Sequence, residues 1–112
     1  MRSRSRVAIV GAIMVVAGAA LVTADVRAAA PTPRVQIHEF TFAPAALTVG
    51  VGTTVTWVNG DEEPHTVTSR GGLFASPGLD HAEVFSRRFT TAGTYQYFCA
   101  LHPRMTGTVI VR

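Results

Sequence analysis

Short segments that alternate apolar and polar residues dominate the chain after residue 33. Segment 53–58 is almost entirely β-branched or aromatic, with Val55 and Trp57 on one face, and it predicts the strongest strand. Segments 35–37 and 40–42 are predicted as two halves of a first strand, with a bulge or bend near His38–Glu39 where the apolar positions change parity. Further strands are predicted at 46–49, 65–69, 84–90, 94–99 and 107–111.

Turn-forming residues separate these segments, for example Gly50, Gly52 and Asn59-Gly60-Asp61. Residues 70–82 contain three glycines and a proline and are predicted to form a surface loop. No stretch after residue 30 has the 3.6-residue apolar period of an amphipathic helix. Seven to eight short strands without helices predict an all-β fold, a β-sandwich.

The first thirty residues have a different character. Three arginines precede the uncharged run from Val7 to Val22, and small residues follow at Ala28-Ala29-Ala30. This order is typical of a secretory signal peptide, with cleavage after Ala24, Ala28 or Ala30. The sixteen-residue run is shorter than the roughly 20 residues of a membrane span, so an uncleaved anchor is the less favoured alternative. Residues 31–112 are then a single exported domain, periplasmic or otherwise extracytoplasmic.

The net charge of +3 belongs to the leader. Residues 31–112 contain six arginines and six acidic residues, so this part is formally neutral and gives no indication of nucleic-acid binding. Cys99 is the only cysteine of the chain, which excludes an intramolecular disulfide. A lone cysteine in an exported domain is an intermolecular link, a reactive thiol or a metal ligand.

The spacing around this cysteine favours a metal ligand. Cys99, His102 and Met105 follow one another at three-residue intervals, and Met105 is the only methionine after residue 30. Two histidines, one cysteine and a weak axial methionine are the donor set of blue-copper electron-transfer sites. His65 is the best candidate for the second histidine because Pro64 restricts the backbone before it. His38 and His81 are the rivals, and for both a solvated surface side chain is the favoured interpretation.

These motifs resemble those of the cupredoxins, the type 1 blue copper proteins, and the short Cys-x-x-His-x-x-Met loop is similar to that of amicyanin-like members. The resemblance runs from about Val35 to Arg112 and includes Pro64-His65 and the strand that ends at Cys99. It implies a Greek-key sandwich, a type 1 site for one copper ion (Cu(I)/Cu(II)), equatorial ligands His65, Cys99 and His102, and the axial ligand Met105. Thr66 departs from the asparagine that many relatives carry there, an asparagine that ties the two ligand loops together.

The implied function is the transfer of single electrons between redox partners outside the cytoplasm, without enzymatic activity or a small-molecule substrate. A copper carrier or storage module with the same ligands is the alternative. The resemblance also implies an apolar patch around His102, formed by Ala100, Leu101 and Pro103, where a c-type cytochrome, an amine dehydrogenase or an oxidase would dock on a monomer. Arg104 is either a docking charge or a solvated rim residue, and the cluster 61–63 is either a docking edge or, as favoured here, a polar turn.

Overall fold

The computed structural model describes residues 11–13, 18 and 32–112. The predicted signal peptide and its three cleavage sites otherwise lie outside these residues. Within the described part of the chain, no helix has the length and apolar character needed to span a bilayer. Eight strands make up the regular structure: β1 (Arg34–His38), β2 (Thr41–Ala43), β3 (Ala46–Val49), β4 (Thr53–Asn59), β5 (Thr68–Ser69), β6 (Val84–Phe89), β7 (Gly93–Phe98) and β8 (Thr106–Val111).

Two four-stranded sheets pack face to face. One has the strand order β2-β1-β4-β6 and the other β3-β8-β7-β5. Strands β1 and β4 pair in parallel, as do β3 and β8, and all other pairs are antiparallel. The predicted all-β sandwich is therefore confirmed, with eight strands.

The core lies between the sheets and follows the period-two pattern of the sequence. In β4 the side chains of Val55, Trp57 and Asn59 are buried while their neighbours are partly exposed. Trp57 and Tyr97, the two largest fully buried side chains, contact each other edge to face across the sandwich, with ring centroids 5.4 Å apart. Tyr97 lies on the buried face of β7, and Cys99, two residues further along the chain, is also completely buried.

The first strand differs from its prediction. The chain reverses between β1 and β2, which pair in antiparallel fashion with Ile37 opposite Phe42 and His38 opposite Thr41. The two residues between them, Glu39 and Phe40, both have positive φ angles, of 50° and 58°. A two-residue hairpin turn of this kind explains the parity change that the sequence analysis assigned to a bulge or bend.

Two further expectations need correction. Only Thr68–Ser69 forms a strand within the predicted segment 65–69, and His65 instead makes an isolated bridge with Leu79. Segment 70–82 is not simply a surface loop, because Phe74 and Leu79 are buried in the core. A domain of this size has few apolar side chains to fill its interior, so two from an irregular segment contribute to it.

Candidate metal centre

The loop between β7 and β8 presents three of the four predicted ligands. Cys99 follows the last residue of β7, and its backbone N–H donates to the carbonyl of Met105 at 3.0 Å. Within the loop, the N–H of His102 donates to the carbonyl of Cys99 and the N–H of Met105 donates to that of His102. These three bonds close the seven-residue connection into a tight turn.

His65 approaches from the irregular segment after β4. Its N–H donates to the carbonyl of Leu79 at 3.1 Å, and the N–H of Leu79 donates to the carbonyl of His65 at 2.7 Å. The buried Asn59 shapes the preceding turn, since its amide donates to the carbonyls of Glu63 and Leu79 and its oxygen accepts from the N–H of Asp61. The backbone of His65 is thereby fixed on both sides, in addition to the constraint imposed by Pro64.

The thiol and two imidazoles converge in the folded chain. Cys99 Sγ lies 3.8 Å from Nδ1 of His65 and 3.7 Å from Nδ1 of His102, and the three ligand atoms all lie within 4.8 Å of one another. A sulfur and a nitrogen bound to one metal at about 2.3 and 2.05 Å, with a trigonal angle, would be roughly 3.8 Å apart. The distances and the donor chemistry therefore fit a copper ion.

Met105 and His102 connect this cluster to the surface. Met105 is buried and His102 is partly exposed, and both line a shallow surface depression with Phe40, Leu101 and Pro103. Leu101 is 52% exposed. Arg104 borders the same depression and is exposed. Of the apolar patch expected around His102, Leu101 and Pro103 line this depression and Ala100 does not, while Phe40 is an additional member.

Thr66 connects the two segments that carry the candidate ligands. Its hydroxyl accepts a hydrogen bond from the N–H of Ala100 at 2.7 Å and pairs with the hydroxyl of Thr68 at 2.9 Å. Its N–H donates a hydrogen bond to Cys99 Sγ at 3.3 Å. Thr66 thus makes a hydrogen bond between the two loops, which is the role that the family resemblance assigned to an asparagine at this position.

Asp61 is a charged residue in direct contact with the cluster. Its carboxylate accepts from the N–H groups of Glu39 and Phe40 at 2.7 and 2.9 Å, and it lies 2.8 Å from Nε2 of His65. Burial raises the pKa of this carboxyl, but the bonds from Phe40, Glu39 and His65 lower it, and the net pKa is below its ordinary value. Asp61 is therefore ionised near neutral pH.

Asp61 was predicted to lie in a polar turn with Glu62 and Glu63, and the structure corrects this for Asp61. Asp61 is only 9% exposed, whereas both glutamates are exposed. The four-residue spacing between Asp61 and His65 would predict a side-chain contact in a helix, but this segment is not helical, so the spacing gave little indication of the contact.

The contribution of Phe40 was also missed: its ring makes edge-to-face contacts with His65 and His102, with centroids 5.1 and 4.9 Å away. Only the hairpin turn brings Phe40 there.

The rival histidines lie elsewhere. The side chain of His38 is 70% exposed and that of His81 is 53% exposed, and the metal-compatible group found among the described residues includes neither. His81 contacts the carbonyl oxygen of Asp61 through Nδ1 at 3.1 Å, so it borders the turn without reaching the thiol.

Comparison with known families agrees with this geometry. A family model described as a cupredoxin-like domain matches residues 8–111. The chain belongs to the cupredoxin-like family. The resemblance inferred from the sequence motifs is thus confirmed, and the family match begins before the stretch from Val35 that carries those motifs.

Individual relatives place this cupredoxin near the amicyanins. It is 38% identical over 82 residues to amicyanin of Paracoccus denitrificans, an alignment that covers 69% of this chain and 63% of the relative. A solved amicyanin variant in its Cu(I) form is 35% identical and superposes with a TM-score of 0.70, covering 72% of this cupredoxin and 82% of the variant. A purple cupredoxin from Nitrosopumilus maritimus is 34% identical, with a TM-score of 0.67 over 71% of this chain and 99% of its own.

Proposed function

We propose that this cupredoxin is a type 1 blue-copper protein that carries single electrons between redox partners outside the cytoplasm. The observation that carries the proposal is the convergence of one buried thiol and two imidazole Nδ1 atoms, with sulfur–nitrogen separations of 3.7 and 3.8 Å. The copper-containing amicyanin structure at a TM-score of 0.70 supports copper as the metal.

In this proposal His65, Cys99 and His102 are the equatorial ligands and Met105 is the axial ligand. Thiolate, imidazole and thioether together suit copper, whereas zinc favours cysteine, histidine and carboxylate ligands. His65 comes from the segment after β4 and the other three residues come from the loop between β7 and β8, so the fold brings together two segments that are distant in the chain. Met105 is proposed as the fourth ligand because it lies in the same tight loop as Cys99 and His102 and is buried.

Copper bound by these residues supplies a one-electron Cu(II)/Cu(I) couple. The chain contributes rigidity, because hydrogen bonds fix the backbone of His65 and Cys99 independently of any metal. Donors that need not move between oxidation states lower the reorganisation associated with electron transfer. With all four donors supplied by the chain, no substrate position is left, which supports a carrier without enzymatic activity.

The exposed depression beside His102 is the proposed contact surface for redox partners. Its members Phe40, Leu101 and Pro103 give it an apolar character, and Arg104 provides a positive charge at its edge. A c-type cytochrome, an amine dehydrogenase or an oxidase with a complementary acidic rim would suit this surface. We further propose that residues 1–30 direct export to the periplasm and that the domain acts there as a monomer.

Copper loading of the purified domain tests the function. We expect an intense visible absorption from thiolate-to-copper charge transfer and a reversible one-electron voltammogram with copper retained in both states. Cys99→Ala and His65→Ala should abolish both signals, whereas His81→Ala, which changes a histidine outside the cluster, should preserve them. Loss of the metal on reduction would instead indicate the carrier or storage alternative, and a colourless loaded protein would contradict the proposal.

A further inference from the structure

The buried carboxylate of Asp61 connects two separate parts of the candidate site. Oδ2 lies 2.8 Å from Nε2 of His65 and also accepts from the N–H of Phe40, and Oδ1 accepts from the N–H of Glu39. The imidazole of His65 has no solvent exposure, and Asp61 has little. Three hydrogen bonds therefore converge on one charged group next to a candidate ligand.

The hydrogen bond from His65 to Asp61 determines which ring nitrogen of His65 is available to bind a metal. An ionised carboxylate can only accept hydrogen bonds, so Nε2 of His65 carries the hydrogen. In the neutral imidazole, which is the form that binds a metal, Nδ1 is then the unprotonated nitrogen, and it is the atom that lies 3.8 Å from Cys99 Sγ. A carboxylate behind a histidine in this way fixes the tautomer and ring orientation and raises the basicity of the ligand nitrogen.

The two backbone bonds hold the turn that carries Phe40. Glu39 and Phe40 both have positive φ angles, which non-glycine residues adopt at an energetic cost. The carboxylate binds both N–H groups of this turn at once, and so offsets that cost. The turn places the Phe40 ring, which is 44% exposed, in edge-to-face contact with both imidazoles.

We propose that Asp61 is a positioning residue that sets the His65 tautomer, fixes Phe40 over His65 and His102, and lowers the reduction potential of the site. The electrochemical part rests on the proposed copper function. The oxidised site carries one more positive charge than the reduced site, and a buried negative group favours it. A substitution of Asp61 leaves the candidate ligands His65 and Cys99 in place, so a change in potential would report on the carboxylate behind His65.

Asp61→Asn tests the proposal, with Glu62→Gln as the matched control. Both variants remove one carboxylate from the same turn, but the Glu62 side chain is 85% exposed and does not contact His65. Loss of a group behind a ligand typically weakens metal binding by about 10-fold or more. If Asp61→Asn weakens Cu(II) binding roughly 10-fold more than Cu(I) binding, the potential rises by about 59 mV for one electron. Glu62→Gln should leave the potential unchanged.

The copper-free protein provides a second readout that does not depend on function. Nitrogen NMR shifts of His65 should show a protonated Nε2 in the wild type and in Glu62→Gln, and a mixture of tautomers in Asp61→Asn. Unaltered His65 shifts together with a potential equal to that of Glu62→Gln would overturn the proposal. If the wild type gave no reversible copper couple, the proposed function would fail, and the NMR comparison would still decide the positioning role.

A second background covers the case in which Asp61→Asn alone does not fold. Phe40→Gly places glycine at one of the two positive φ angles, so the turn depends less on the carboxylate. Asp61→Asn should then raise the potential in the Phe40→Gly background relative to Phe40→Gly itself. Equal potentials and equal His65 shifts in this pair would contradict the proposal.

Discussion

Removing the Thr66 hydroxyl should weaken the connection between the two segments that carry the candidate ligands. Thr66→Val keeps the shape of the side chain but loses the bond to the N–H of Ala100 at 2.7 Å and the bond to Thr68 at 2.9 Å. A typical hydrogen bond contributes about 1 kcal/mol net, and water can replace part of both bonds because Ala100 is exposed and Thr68 is partly exposed. We therefore expect the free energy of unfolding to fall by about 1.5 kcal/mol.

Urea unfolding of the copper-free domain measures this loss. With an m value of about 1 kcal/mol/M for a domain of this size, the midpoint should fall by roughly 1.5 M. Thr68→Val is the matched control, because it makes the same chemical change and leaves the bond to Ala100 intact, so its midpoint should fall about half as far. Thr66→Ser should stay near the wild type. Equal midpoints for Thr66→Val and the wild type would refute the assignment of Thr66 as the connection between the loops.

Three other substitutions give distinct expectations. Met105→Leu should retain copper and shift the reduction potential; unchanged voltammetry would show that Met105 is not the axial ligand. Gly107→Ala would place a methyl group 2.7 Å from Cε2 of Tyr97 and closer still to its hydroxyl, and should cost about 1–3 kcal/mol by urea unfolding, whereas Gly78→Ala, with open space around it, should not. Burial raises the pKa of Tyr97 to about 12, so the unfolded state releases its proton first, and stability should fall by ~1.4 kcal/mol per pH unit between about 10 and 12. Tyr97→Phe should remove this slope while costing little at neutral pH, since the hydroxyl has no hydrogen-bond partner among the described residues; a slope that persisted would contradict the assignment.

The alternation of apolar and polar residues predicted most of the sandwich because each sheet has one buried face. Strand β3 was predicted with its observed bounds, and β4, β6, β7 and β8 to within one residue at either end. The predictions were wrong where the residue pattern has two structural explanations. A change of parity after Ile37 fits a bulge or a hairpin equally well, and only the pairing of Ile37 with Phe42 distinguishes them.

The candidate ligands were predictable because their chemistry is rare and, for three of them, local. Cys99, His102 and Met105 lie in one seven-residue window, and thiolate, imidazole and thioether in such spacing have few purposes besides binding a soft metal. His65 could be proposed from its proline neighbour, but its approach to within 3.8 Å of the thiol depends on the fold. His65 and Cys99 are 34 residues apart in the chain, and a separation of this size does not predict the distance between their side chains.

The sequence alone determined the all-β class and the family of this protein and predicted the donor set, because period-two burial and ligand chemistry depend directly on the residue types. Only the tertiary structure decided what surrounds the donors: that Asp61 is buried against His65 while Glu62 is exposed, and that Phe40 lies over two imidazoles. The physical reason is that a carboxylate or an aromatic ring has the same identity on a surface and at a buried site. Its environment, and with it its role, is created by segments distant in the chain.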